Sequence, residues 1–296
     1  MAVIRLLTRI VSNSKQRESS YALLSDVLER LLVLGISDMN ADIRATVLSN
    51  LDATLDSYLV ENPWALNALF VALQDEYFKI RDLAISLLGR LSLLTPADVM
   101  PALSRTLIQL LTQLTHSSDS RIKEESIHLL AVLIRHARSS VQTYVKPILE
   151  TLLPNIDSGQ DPKVKREIII TFGELAAIGQ ENMAEHVPVI MPMLISYLND
   201  QVSVDKREIG LKVLRQLAQH TSHVVDYFGR WPQLWETILD IARTEKVKSV
   251  RRLVVSVLGS FGAIDPYTFK SITMQAKLPD GELPVESTHD VQQTVP

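Results

Sequence analysis

The chain contains no cysteine among its 296 residues. Disulfides, thiolate zinc sites and a cysteine nucleophile are therefore excluded. A reducing compartment fits this absence without being established by it. Glycine is scarce, with ten residues against a usual share of about 7%, which disfavours turn-rich β folds. Aromatic residues make up 5% of the chain, while hydrophobic residues make up 46%. The apolar content is thus aliphatic, the balance of packed helices rather than of a β-sandwich. No stretch reaches the roughly 18 consecutive apolar residues of a membrane span, so no transmembrane segment is expected. The opening MAVIRLLTRIVSNS has Arg5 and Arg9 inside its apolar run and no small-residue cleavage site after it. It reads as an amphipathic helix, not as a signal sequence. The net charge is −4, with no dominant basic run, and no nucleic-acid partner is expected.

What the chain does contain is one pattern, repeated. Six segments align without a gap: IRATVLSNL from Ile43, IRDLAISLLGRL from Ile80, IKEESIHLLAVL from Ile122, VKREIIITFGEL from Val164, KREIGLKVLRQL from Lys206 and VRRLVVSVLGSF from Val250. Their starts are 37, 42, 42, 42 and 44 residues apart. A fixed period of this size predicts an all-α, HEAT-type α-solenoid of about six helix pairs. Such arrays present long surfaces to other proteins, so an interaction role is expected, with no cofactor and no small-molecule substrate.

The sixth position of each copy is Leu48, Ile85, Ile127, Ile169, Leu211 and Val255, and the ninth is Leu51, Leu88, Leu130, Phe172, Leu214 and Leu258. Three apart, these share a helix face and form the expected core. The tenth is small in Gly89, Ala131, Gly173 and Gly259, which predicts close helix–helix approach; Asp52 and Arg215 break that rule. Before each copy lies another apolar segment: Tyr21–Leu34, Pro63–Leu73, Pro96–Leu114, Val141–Leu153, Met183–Leu198 and Pro232–Ala242. Pro63, Pro96 and Pro232 fall where a helix begins, the position proline tolerates best. The domain reading is a trailing helix and loop over 1–20, a solenoid over 21–265, and a polar, disordered tail or linker over 266–296. The chain reads as a fragment of something longer.

The second position of every copy is basic: Arg44, Arg81, Lys123, Lys165, Arg207 and Arg251. An acid precedes each one in the turn: Asp38, Asp75, Asp119, Asp161, Asp200 and Glu245. The favoured reading is a structural ladder to turn carboxylates or carbonyls of the same or the next repeat. A cation in the first turn opposes the helix dipole and needs a local anion. The competing reading is a basic stripe for an acidic partner.

Catalytic chemistry finds little support. His220 and His223 have helical spacing but no third ligand, so no metal site is expected. His128 and His136 read as surface or seam residues, and Glu124-Glu125 as ordinary helix-start acids. There is no HExxH, GxGxxG, P-loop or GxSxG, and no kinase signature. No catalytic, cofactor-binding or metal-ligating residue is assigned. Trp231 and Trp235 lie four apart on one helical face; packing is the plain reading, and a partner anchor the sharper one.

Several stretches resemble the N-terminal HEAT region of the target of rapamycin (TOR) kinases. They include GISDMNADIR (35–44), LFVALQDEYFKIRDLAISLLGRLS (69–92), VMPALSRTLIQLLTQLTHS (99–117), KREIGLKVLRQLA (206–218), VVDYFGRWPQLWE (224–236) and VLGSFGAIDPYTFK (257–270). The likeness covers roughly 21–270 and departs in the turn over 157–164, which looks short, and in the tail. It implies a region of a giant serine/threonine kinase whose solenoids self-associate and hold a raptor-like subunit. It also implies kinase, FAT and rapamycin-binding domains far downstream, so no catalytic residue carries over. A TORC1 setting in growth and nutrient signalling is implied too, in the cytoplasm or peripheral to endomembranes through partners. The alternative is a generic HEAT adaptor for transport or a phosphatase.

Overall fold

The computed structural model describes residues 17–156, 161–222, 225–264 and 270. The helix expected over 2–12 and nearly all of the 266–296 segment lie outside the described residues. Among the described residues every regular element is helical. In chain order they are α1 (Arg17–Ser37), α2 (Ala41–Ser49), α3 (Asp56–Glu61), α4 (Pro63–Ala72), α5 (Phe78–Leu91), α6 (Pro96–His116), α7 (Ser120–His136), α8 (Arg138–Val141), α9 (Val145–Leu152), α10 (Pro162–Gly179), α11 (Glu181–Ala184), α12 (Val187–Leu198), α13 (Val204–Thr221), α14 (Tyr227–Arg230), α15 (Pro232–Thr244) and α16 (Lys248–Ile264). The second helices of the six pairs are α2, α5, α7, α10, α13 and α16. They stack on one another in succession, and the first helices α1, α4, α6, α9, α12 and α15 lie beside them.

Proline explains where the first helices depart from the sequence reading. The expected continuous helix over 141–153 is broken into α8, a 3-10 turn at Gln142–Tyr144, and α9. Pro147 has no N–H for the carbonyl of Thr143, and its ring would clash there, so the helix restarts at Val145. Pro188 acts in the same way on the carbonyl of Ala184, and the expected helix over 183–198 splits into α11 and α12.

The core is one continuous aliphatic body. Leu48, Ile85, Ile127, Ile169 and Leu211 at the sixth position are all fully buried, as are Leu88, Leu130, Phe172 and Leu214 at the ninth. The sixth copy departs from this. Val255 is 69% exposed, Leu258 is half-buried, and Val250, Val254, Val257 and Phe261 carry the burial instead. Each inner second helix has a neighbour on both sides, which covers both of its apolar stripes. Among the described residues α16 has a second-helix neighbour on one side only, so the stripe through Val255 faces outward.

The tenth-position glycines differ in what they meet. A methyl added at Gly89 would lie 2.5 Å from His136 Cβ and 3.1 Å from its backbone carbonyl carbon. At Gly173 the nearest obstacle is the mobile end of Gln216, and at Gly259 nothing lies within 4 Å. The two exceptions are turned to polar use. Asp52 caps the 3-10 turn Ala53–Leu55, and Arg215 donates across the seam to Ser256 Oγ at 3.1 Å.

These surroundings order three substitutions. Gly89→Ala is expected to destabilise the fold by about 1–3 kcal/mol, because backbone must shift to admit the methyl. Gly259→Ala is expected to stabilise by up to about 1 kcal/mol, the usual helix-interior gain over glycine, and Gly173→Ala falls between. Urea unfolding midpoints measure the order; equal shifts for Gly89→Ala and Gly259→Ala would refute close packing at the seam.

Candidate protein-interaction surface

Each turn between the two helices of a pair is built by its acid. The carboxylates of Asp38, Asp75, Asp119 and Asp161 each accept a backbone N–H two residues on, at 2.8 Å. Asp200 accepts from Val202 and Ser203 at 3.0 and 2.7 Å. Glu245 accepts from Lys246 and Val247 at 2.9 and 3.0 Å. Short acidic side chains favour this local closure. It places a carboxylate at one edge of the array in every copy.

The basic residues then cross between copies. Arg44 donates to the carbonyl of Asp38 at 2.6 Å and, through two nitrogens, to the Asp75 carboxylate of the next repeat at 2.8 and 3.1 Å. Its guanidinium also lies 5.3 Å from the Tyr77 ring centroid. Arg81 donates to the carbonyl of Asp75 at 2.8 Å and to Glu125 of the next repeat at 2.8 Å. Arg207 donates to the carbonyl of Asp200 at 2.7 Å and reaches Glu245 of the next repeat at 2.9 Å. All three arginines thus have one hand on their own turn and one on the following repeat. Among the described residues Lys123, with a single nitrogen, reaches only Asn155 Oδ1, at 3.3 Å. Lys165 and Arg251 make no ion pair among the described residues. In the fifth copy Lys206 adds a bond to Asp200 at 2.7 Å. That bond, with the backbone N–H of Ser203, pushes the Asp200 carboxyl down to about 2.

A second polar line crosses the second helices away from the turns. His128 Nδ1 lies 3.0 Å from Glu167 Oε2, and its other nitrogen 3.8 Å from Asp82. Glu167 also pairs with Arg166 at 2.5 Å, and Arg166 with Asp205 at 3.1 Å. Arg135 pairs with Glu174 at 2.8 Å. The line therefore joins α5, α7, α10 and α13. Three of its pairs, His128–Glu167, Arg135–Glu174 and Arg166–Asp205, are 39 residues apart. Arg215–Ser256 and Gln219–Ser260 are 41 apart. Each value is three less than the local repeat spacing, so on this face each side chain from α7 onward meets one that lies about one turn earlier in the next copy. Between α5 and α7 the offset has the other sign, since Gly89 meets His136. Opposite charges at this spacing are a signal the sequence carries and a search for local motifs misses.

His128 is held above the ordinary imidazole value, chiefly by its hydrogen bond with Glu167 and against the effect of burial. Burial alone would raise the Glu167 carboxyl, but the hydrogen bond and charge of His128, with Arg166, hold it below the usual value. His136 moves the other way, lowered by burial and by Arg135.

Trp235 is only 8% exposed, and its ring meets Phe228 edge-on at 5.5 Å, so its reading as a partner anchor is corrected. Trp231 is half-buried, 6.0 Å from Tyr227. No cluster of three metal-binding side chains occurs among the described residues; His223 lies outside them. No helix among them is long and apolar enough to cross a membrane. The turn edge does carry exposed apolar side chains, Met39, Tyr77, Ile122 and Val202, beside the ladder. Open grooves lie between adjacent turns, one of about 420 Å³ lined by Asp200, Arg207, Asp240, Glu245 and Lys246.

Stacked helical hairpins with one buried seam and a charged ladder at the turns define a HEAT/armadillo-type helical-repeat protein. Solved structures agree on the fold. The crystal structure of Kap121p superposes with TM-score 0.62 at 15% identity, over 93% of this chain and 30% of that one. A designed armadillo repeat protein in complex with the peptide (KR)4 superposes with TM-score 0.55 at 14% identity, over 79% of this chain and 99% of that one. The family profile described as "Serine/threonine-protein kinase mTOR domain" matches residues 224–295. Serine/threonine-protein kinase tor1 of Schizosaccharomyces pombe is 41% identical over 83% of this chain and 10% of its own length. Serine/threonine-protein kinase mTor of Drosophila melanogaster is 38% identical over 90% of this chain and 11% of its own length. The chain belongs to the target of rapamycin family and corresponds to its N-terminal region of helical repeats. It spans about a tenth of the length of these relatives.

Two outcomes follow for the polar lines. Arg44→Ala is expected to lower the melting temperature by several degrees, because it strips both a turn carbonyl and the Asp75 carboxylate, whereas Lys165→Ala leaves it almost unchanged. Equal effects in thermal scans would contradict the ladder. For His128, a folded value above about 6.5 means its stabilisation is complete below that pH and is lost as pH rises through the folded value. Glu167, held low, contributes above its ordinary value near 4.5 and loses that contribution as pH falls. The stability difference between wild type and His128→Gln is therefore expected to be largest near pH 5–6 and to shrink by pH 8. Taking the difference cancels the opposing titration of His136; a difference that does not vary with pH would reject the pairing.

Proposed function

We propose that this chain is a protein-interaction scaffold: the HEAT-repeat part of a TOR kinase, which holds a raptor-like subunit and supports dimer assembly in growth and nutrient signalling. Kinship with TOR kinases is the observation that carries the reading. Two features of the molecule support it. The continuous seam and its ladder tie consecutive pairs into a stiff support on which a partner can be fixed relative to distant domains. The turn edge offers exposed apolar side chains ringed by charge, the composition of a partner-binding surface. On this reading the chain supplies no catalytic group, and phosphoryl transfer belongs to a kinase domain elsewhere in the full protein. Its setting is the cytoplasm, or an endomembrane surface reached through partners. The alternative, a generic helical-repeat adaptor for transport or a phosphatase, rests on the repeat fold alone, which does not carry function.

The test is direct binding between the full chain and the raptor-like protein of the same host, by co-purification and calorimetry. A stable complex is expected, and Met39→Asp with Val202→Asp, at two of the most exposed apolar positions, should weaken it at least about tenfold with helical content unchanged. No binding by the folded wild-type chain would remove the partner from the account and leave the family membership standing.

A further inference from the structure

Arg215 breaks the rule of the seam. Four of the six copies carry glycine or alanine at the tenth position, and the fifth carries a guanidinium. The side chain is partly buried on α13. Its Nη1 donates to Ser256 Oγ at 3.1 Å. Its Nε is shut off from solvent and has no hydrogen-bond partner among the described residues, and no carboxylate among them pairs with this guanidinium. A cation drawn out of water without a counter-charge is costly. Packing α13 on α16 does not call for one, since other seams are made with glycine or alanine.

Arg215 lines a cleft of about 360 Å³ that crosses the second helices from Arg135 on α7 to Leu253 on α16. The other cations of its walls are matched. Arg135 pairs with Glu174, Arg166 with Asp205 and Lys212 with Glu208. Arg215 is thus the cation of the lining left without an acid among the described residues. Ile170 and Leu253, both half-buried, add apolar surface to the same walls. Crossing from α7 to α16 takes three helix spacings of about 8–10 Å each, a length that an extended peptide covers with about eight residues.

We propose that this cleft takes an extended acidic peptide from a partner protein. An aspartate or glutamate carboxylate of the peptide reaches Arg215, and an apolar side chain next to it lies on Ile170 and Leu253. Arginine suits the task, because its planar fork meets a carboxylate through two N–H groups at once. The site lies on the second helices, apart from the turn edge offered to a raptor-like subunit, and stands whether or not that subunit binds.

Fluorescence anisotropy with the full chain tests this. The probes are rhodamine-labelled nonapeptides with a central Leu-Glu-Leu, Leu-Gln-Leu or Leu-Lys-Leu flanked by serine and glycine. The glutamate peptide is expected to bind at least about tenfold tighter than the glutamine peptide, and the lysine peptide not to bind. Arg215→Gln should remove that preference with helical content unchanged. Gln216 lines the same cleft and keeps the test decisive should Arg215→Gln fail to fold. Gln216→Glu should weaken binding of the glutamate peptide, and Gln216→Lys should strengthen it. Equal binding of the glutamate and glutamine peptides, or no binding at all, would overturn the proposal. So would a preference that neither Arg215→Gln nor the two Gln216 changes alter. Displacement by free glutarate as complete as by unlabelled peptide would overturn it too, since it would assign the cleft to a small acid.

Discussion

The structure depends on a single constraint: every inner second helix must bury apolar surface on both sides at once. A helix with one apolar stripe needs only one partner. Here the fifth and eighth positions of α5, α7, α10 and α13 are buried along with the sixth and ninth, which widens the covered face of each helix beyond a single stripe. Such a helix is stable only between two others, and this requirement makes the pairs line up rather than close into a globule. Leu88, Leu130 and Leu214 have no exposed surface, while Val255 in α16 shows what the same position looks like with a second-helix neighbour on only one side.

The polar groups set the register within that apolar body. Aliphatic packing is tolerant of sliding; a bidentate arginine is not. Arg44, Arg81 and Arg207 each hold a carbonyl of their own turn and a carboxylate of the next repeat. Lys123 cannot do both with one nitrogen, which is why the lysine rungs are weaker links in the same ladder. The line from Asp82 through His128 and Glu167 to Asp205 repeats the device on the second helices, one helical turn out of step.

Much of this was legible in the amino acids. The six aligned segments and their period fix the helical pairs, and the paired column of bases and acids marks the turn edge. Four things were harder to read. The breaks before Pro147 and Pro188 follow from backbone chemistry, but both prolines fall inside apolar runs that read as unbroken helices. The choice of Glu125 over Asp119 as the acceptor for Arg81 depends on how far α7 is displaced along α5, which no local pattern encodes. The pair His128–Glu167 is visible only once the one-turn offset is known, and then it joins two other pairs at the same spacing of 39. Trp235 was ambiguous because spacing alone does not separate a core face from a binding face.

The measurement that bears most directly on two-sided burial is native-state amide hydrogen exchange in the wild type and in Leu130→Ala. Leu130 lies in the middle helix of the array, with α5 on one side and α10 on the other. The account predicts that the substitution lowers protection in α7, α5 and α10 together, because each helix is stable only against its neighbours. Loss of protection confined to α7, with α5 and α10 unmoved, would contradict it.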